Sequence, residues 1–166
     1  MKKIIVIGCP GSGKSTFARK LQAMTGLPLC HLDLLYWKAD RTTVSEAVFL
    51  QQLNEVLHQD CWIIDGNYRK TLELRLRHCD TVFFLDYPTA VCLSGIASRI
   101  GKPRPDMPWT EEQEAPELME LVRHYPQRER PAVMELLDRY AGEKNIITFR
   151  TREATGNYLA GLCGAE

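Results

Sequence analysis

The octapeptide Gly8-Cys9-Pro10-Gly11-Ser12-Gly13-Lys14-Ser15 constrains this chain more than any other stretch of it. It fits the pattern G-x-x-x-x-G-K-S/T at every fixed position. It also stands where that pattern works, after the apolar run 4–7 and at the start of a helical pattern reaching to about residue 24. A short continuous apolar run suits a strand covered on both faces. Glycines let the turn pass through positive φ and bring backbone N–H groups close to phosphate oxygens. The helix N-terminus adds unpaired donors and about half a unit of positive charge. Gly8, Pro10, Gly11, Ser12, Gly13, Lys14, Ser15 and Thr16 are therefore the expected contacts of a nucleoside triphosphate. Lys14 is placed to bridge the β- and γ-phosphates, the Ser15 hydroxyl to meet magnesium, and Thr16 to reach the α-phosphate. A turn serving only as a connector has no need of three glycines, a lysine and a serine at fixed spacing.

Strand-like and helix-like patterns alternate along the remainder. Residues 29–32, 61–64, 81–85 and 145–149 read as further strands. Thr43 with Glu46 has the spacing of a capping box, opening a helix to about residue 58. A short basic helix is predicted over about 68–77, and another from Pro88, in its first turn, to about 100. The stretch 101–116 carries Pro103, Pro105, Pro108 and Pro116 and reads as irregular. Helix follows to about 125, with Pro126 and Pro131 bending or restarting it towards 140, and a last helix spans about 152–163. This order predicts one α/β domain over 1–166, with a parallel sheet covered on both faces.

Lys plus Arg equals Asp plus Glu at 21 each, which speaks against a general nucleic-acid binder. No apolar run approaches the ~20 residues a membrane span needs. The N-terminal apolar stretch is too short for a signal peptide and breaks into the glycine-rich turn. Six scattered cysteines with no C-x-x-C pair suit a reducing cytoplasm, without zinc or disulfides. Either a monomer or a homodimer is compatible with the sequence.

Two apolar runs end in aspartate, at Asp65 and Asp86. A phosphate-loop enzyme needs a carboxylate near its metal, and Asp65 is the expected one, with Arg69 close by. Asp86, just before Tyr87-Pro88, reads as a helix N-cap. Asp33 follows the second strand, where ligands of such sheets bind. It could orient an acceptor hydroxyl, act as a base or hold a metal-bound water, or else cap a turn. His31 reads as a packed or solvent-linked histidine, and Tyr36 and Trp37 as either an acceptor wall or core. Arg99, Lys102 and Arg104 open the irregular segment, and Arg123, Arg128 and Arg130 follow it. Such a segment could close over phosphates as a lid, with Arg99, Arg128 and Arg130 as the catalytic candidates beside Lys14 and Asp33. Arg69, Arg75 and Arg77 form a second basic group suited to the acceptor side. With no Asn-Lys-x-Asp stretch for guanine, adenine is the expected base, met near 150–152.

Taken together, the loop 8–15, the segments 31–37 and 62–69, Arg99 with 101–107, and 128–131 resemble the adenylate-kinase-like P-loop kinases. Within them the match is to the subgroup labelled DNA topology modulation proteins or adenylate-kinase-related kinases. The resemblance implies a three-layer fold with a five-stranded parallel sheet in the order 2-3-1-4-5, an ATP site with Mg2+, and a short lid over 101–116. Asp65-Gly66-x-x-Arg69 is similar to the Asp-Gly-Phe-Pro-Arg stretch of adenylate kinases, with Asn67-Tyr68 in place of Phe-Pro. It implies an acid near magnesium and an arginine for the acceptor. The expected activity is transfer of the γ-phosphate of ATP to a nucleotide, nucleoside or small hydroxylated acceptor. The competing expectations are a slow ATPase or switch, and a nucleic-acid-associated regulator.

Overall fold

The computed structural model describes residues 1–163, with the side chain of Cys163 and residues 164–166 of the expected domain lying outside the description. Five strands, β1 (Lys3–Gly8), β2 (Leu29–His31), β3 (Trp62–Asp65), β4 (Thr81–Leu85) and β5 (Asn145–Phe149), form one all-parallel sheet in the order β2-β3-β1-β4-β5. β1 is central. Its Val6 pairs with Asp65 of β3 on one side and with Phe83 of β4 on the other.

The apolar runs are continuous because both faces of the sheet are covered. Ile4 and Val6 of β1, Ile63 and Phe83 point into one core with Phe17 and Leu21 of α1 (Lys14–Thr25). Cys92 and Ile96 of α5 (Thr89–Ala97), Val122 and Tyr125 of α6 (Pro116–Arg128) and Leu159 of α8 (Arg152–Cys163) complete that core. Ile5, Ile7, Ile64 and Phe84 point the other way. There they meet Leu32 of α2 (Leu32–Tyr36), Leu53 of α3 (Glu46–Leu57), Leu76 of α4 (Leu72–His78) and Leu137 of α7 (Arg130–Tyr140). Alternate residues of one strand thus feed two hydrophobic layers, the pattern of a buried parallel strand.

Five local expectations are corrected. The second strand stops at His31, because Leu32 opens the short helix α2. The cap of α3 is Ser45, whose Oγ accepts from Val48 N–H at 3.3 Å, while Thr43 bridges to Trp37. Glu46 is then the first helical residue and cannot close a capping box. α5 ends at Ala97 and winds on through looser turns, Arg99 N–H to Ile96 O at 3.1 Å and Lys102 Nζ to Ser98 O at 2.7 Å. Pro126 lies inside α6, and the break falls at Glu129. The basic segment 68–77 divides into a 3-10 turn, Arg69–Thr71, and α4.

Candidate functional site

β1 delivers the glycine-rich turn to the carboxyl edge of the sheet. Gly11 (φ 81°) and Gly13 (φ 89°) hold the left-handed conformation that side chains disfavour. Ser12 N–H turns back to Cys9 O at 3.1 Å, and Phe17 N–H makes the first helical bond to Gly13 O at 2.9 Å. The amides of Gly13, Lys14, Ser15 and Thr16 therefore have no acceptor within the helix. Ser12 Oγ is buried without a hydrogen-bond partner. The turn rests directly on α5: a Cβ built on Gly11 would lie 2.0 Å from Cys92 O, and one on Gly95 would lie 1.9 Å from Gly11 O. Behind the turn, a hydrogen bond to the Cys92 thiol, together with burial, holds the Cys9 thiol well above its ordinary range, so it stays protonated.

A cavity of about 410 Å³ opens over this turn. Gly11, Ser12, Gly13, Lys14, Ser15 and Thr16 line it, and Asp33 borders it from α2. Arg152, Thr155 and Gly156 contribute from α8, so the expected base region near 150–152 reaches this space through Arg152. Tyr87, another lining residue, is hydrogen-bonded to Thr155.

The irregular segment after α5 supplies the cationic wall. Arg99 pairs with Glu111 through Nε at 2.7 Å and Nη2 at 2.8 Å. Arg104 reaches Asp106 at 3.3 Å, and Arg19 of α1 reaches the same carboxylate at 2.8 Å. Gly101 N–H donates to Glu111 O at 2.7 Å, closing the segment on itself. Burial alone would raise the Asp106 carboxyl, but the Arg104 and Arg19 guanidiniums outweigh it and hold it below the usual carboxylate range. For Arg99, burial and then the neighbouring Arg104 lower its pKa, against the pull of Glu111. Arg19, Arg99, Arg104 and Asp106 all line the main cavity. Sequence reasoning singled out Arg99 and missed Arg19, Asp106 and Glu111. The one available signal was that Arg19 stands one helical turn beyond Thr16, to whose Oγ1 it donates at 3.3 Å.

The acids expected near the acceptor are held differently from each other. Asp65 is buried, with Oδ2 on His31 Nδ1 at 2.8 Å and Oδ1 without a partner. His31 is thus packed, one of the two readings its sequence context allowed, and its partner is Asp65. Asp33 accepts from Tyr68 O–H at 2.7 Å. Burial, then the charge of Asp33, pushes the Tyr68 phenol far above its ordinary pKa, so it remains a donor. Arg75 is fully buried and donates to the carbonyls of Gly66 (2.9 Å), Asn67 (3.0 Å) and Tyr68 (3.1 Å). Burial lowers its pKa to about 10, so it is charged at neutral pH. Arg75 therefore shapes the turn that carries Tyr68 and is not exposed to an acceptor. Arg77 pairs with Glu73 at 3.2 Å, and Arg69 with Glu129 at 3.0 Å. The expected second basic group is dispersed.

Trp37, one turn on from Asp33, meets Trp109 of the irregular segment edge-on at 5.3 Å and Tyr36 at 5.2 Å. Trp109 was not anticipated. Arg130 grips Asp86 with Nε and Nη2, each at 2.7 Å, so Asp86 is an ion-pair partner and not the expected helix cap, which is Pro88. That pair lines a separate cavity of about 400 Å³ with Cys9 and Tyr125. Arg128 is exposed at the end of α6 and lines neither cavity. Cys9, Cys30, Cys61, Cys79 and Cys92 are unpaired thiols. Among the described residues no helix is long and apolar enough to cross a membrane.

No family model matches the chain, and no curated protein matches it.

Proposed function

We propose that this chain is an adenylate-kinase-like phosphotransferase that binds ATP on the turn 8–15 and passes its γ-phosphate to a small acceptor. One observation carries the reading: unpaired first-turn amides, Lys14 and four arginines, Arg19, Arg99, Arg104 and Arg152, converge on a single cavity that Asp33 also borders. Phosphoryl transfer is catalysed mainly by positioning and charge stabilisation, which such an arrangement provides. The triphosphate, bound with magnesium, would supply an activated phosphoryl group. The buried, unpartnered Ser12 Oγ and the left-handed Gly11 and Gly13 fit a backbone cradle for its oxygens. Among the described residues no three His, Cys, Asp or Glu side chains gather into a metal site. Magnesium commonly takes one or two protein ligands and completes its shell with phosphates and water. Ser15 suits direct contact, and Asp65, with its second oxygen unpartnered, suits holding a metal-bound water. The unpaired cysteines suit a reducing cytoplasm.

The test is calorimetry with Mg·ATP combined with an assay of acceptor-dependent ADP release. Lys14→Ala is expected to keep the fold, read by circular dichroism, and to lose at least about a hundredfold in transfer rate. Turnover retained in that variant overturns the role of Lys14. Rapid ATP loss independent of every acceptor would favour an ATPase or switch.

A further inference from the structure

The second cavity, about 400 Å³ against about 410 Å³ for the first, takes no part in the kinase reading. The turn contributes to both: Gly11 to Thr16 line the first, and Cys9 lines the second. The second is rich in donors that nothing in the chain accepts from. Thr89, the first residue of α5, is part of its wall. The amides of Thr89 and Ala90 have no acceptor among the described residues, since the first bonds of that helix run from Val91 and Cys92 N–H to Pro88 O at 3.0 and 3.2 Å. Arg150, just beyond β5, has no ion pair among the described residues. Arg130 holds both Asp86 oxygens with Nε and Nη2, which leaves its Nη1 without a partner. Tyr125 is the most telling wall residue: it is 4% exposed, and its hydroxyl has no hydrogen-bond partner. The Asn67 amide stands beside it, yet no hydrogen bond joins them, and Asn67 Oδ1 is unpartnered too. Burial, then the neighbouring Cys9 and Asp86, push the phenol above its ordinary range, so it stays a donor. Cys9 and Asp86 both line the cavity, and the hydroxyl therefore stands at its wall. A buried hydroxyl is costly unless something arrives to accept from it.

We propose that the second cavity binds a phosphate group, which accepts from the Tyr125 hydroxyl, the Arg130 and Arg150 guanidiniums and the free amides that open α5. The charges suit it. Arg130 and Arg150 against Asp86 leave one positive unit, and the helix N-terminus adds about half a unit more. Asp86 keeps both oxygens on Arg130, so it fixes the orientation of that guanidinium. The number of donors favours phosphate over carboxylate. Two guanidiniums, a phenol and two amides exceed what two carboxylate oxygens accept, whereas a phosphate group presents three terminal oxygens to arginines and helix amides alike. The same donors serve inorganic phosphate and a phosphate carried on a small organic molecule. This site does not depend on what fills the first cavity.

Calorimetry with inorganic phosphate tests this, with the turn first occupied by saturating magnesium and the β,γ-imido analogue of ATP. Because the turn could itself take phosphate, the titration is repeated on Lys14→Ala protein without nucleotide. Binding is expected in both. Tyr125→Phe keeps the ring in the core and should raise the phosphate dissociation constant about three- to tenfold, with Mg·ATP affinity unchanged. Arg150→Met should raise it by roughly tenfold or more, and acetate should bind at least about tenfold more weakly than phosphate. Titrations with glycerol 3-phosphate and ribose 5-phosphate separate the sources. An ester binding about tenfold more tightly than inorganic phosphate assigns the cavity to a phosphorylated metabolite, and equal or weaker binding assigns it to free phosphate. No heat from phosphate or either ester at about 10 mM overturns the proposal, as does an affinity that both substitutions leave untouched. Acetate binding as tightly as phosphate overturns the assignment to a phosphate group. Failure of the nucleotide analogue to bind bears on the first cavity alone, since the Lys14→Ala titration still decides the second.

Discussion

Gly11 and Gly95 meet backbone to backbone, and neither leaves room for a methyl group. A Cβ on Gly95 would lie 1.9 Å from Gly11 O, and one on Gly11 would lie 2.0 Å from Cys92 O. Neither obstacle is a flexible side chain, so relief requires the turn or α5 to move. Gly95→Ala is accordingly expected to cost about 1–3 kcal/mol in urea unfolding, as overpacking does, despite the better helix propensity of alanine. It should also weaken Mg·ATP binding in calorimetry, because displacement of the turn disturbs the amides of the loop. Unchanged affinity in a destabilised protein would show that the loop does not depend on α5. Only one member of this pair was legible in the sequence. Gly11 stands inside a recognisable spacing, and its left-handed φ follows from the chemistry of a phosphate turn. Gly95 sits mid-helix in Ser94-Gly95-Ile96, where nothing local distinguishes it, because its reason is a partner 84 positions away by the numbering 11 and 95.

The segment between α5 and α6 shows the same division at the scale of an element. Its three prolines, Pro103, Pro105 and Pro108, made the irregular conformation legible, although Pro116, expected within it, opens α6, and its arginines made it a candidate lid. That it is pinned was not legible, since Asp106 finds Arg19 only once α1 and the segment are brought together. The pinning has a pH signature. The Asp106 carboxyl lies below its ordinary value of 3.8 in the folded protein. A depressed folded pKa contributes stability that is fully present well above 3.8 and lost as pH falls through the lower folded value. Asp106→Asn should lower stability at pH 7 by about 1.5 kcal/mol, the order of a hydrogen bond to a charged group. The gap in melting temperature between variant and wild type should then close progressively below pH 4. A gap that stays constant down to pH 2 would mean that Asp106 acts by shape and not by charge. Arg75 teaches a related lesson. Its place in a basic cluster suggested an acceptor ligand, yet complete burial turns a cation into a brace for three carbonyls. Sequence charge does not reveal which side chains the fold encloses.

At the scale of the molecule, the alternation of apolar runs with amphipathic stretches was enough to yield a parallel sheet, and its order follows as the resemblance implied. Periodicity is a local property, and a strand buried on both faces advertises itself without help from distant residues. The cavity is the opposite case. It draws on β4, α1, α2, α5, the irregular segment and α8, so no stretch of sequence contains it. That dispersal has a thermodynamic consequence. A ligand touching so many separate elements binds the folded chain and not the unfolded one, so it must raise stability by mass action. At one hundred times its dissociation constant, Mg·ATP would add about 2.7 kcal/mol. For a chain of this length each kcal/mol moves the melting temperature by roughly 2–4 °C, so the expected rise is about 5–10 °C. Lys14→Ala should lose most of this rise while melting near the wild-type temperature without ligand, because Lys14 has no ion-pair partner among the described residues to give up. An equal rise in both proteins would place the nucleotide somewhere other than the turn after β1.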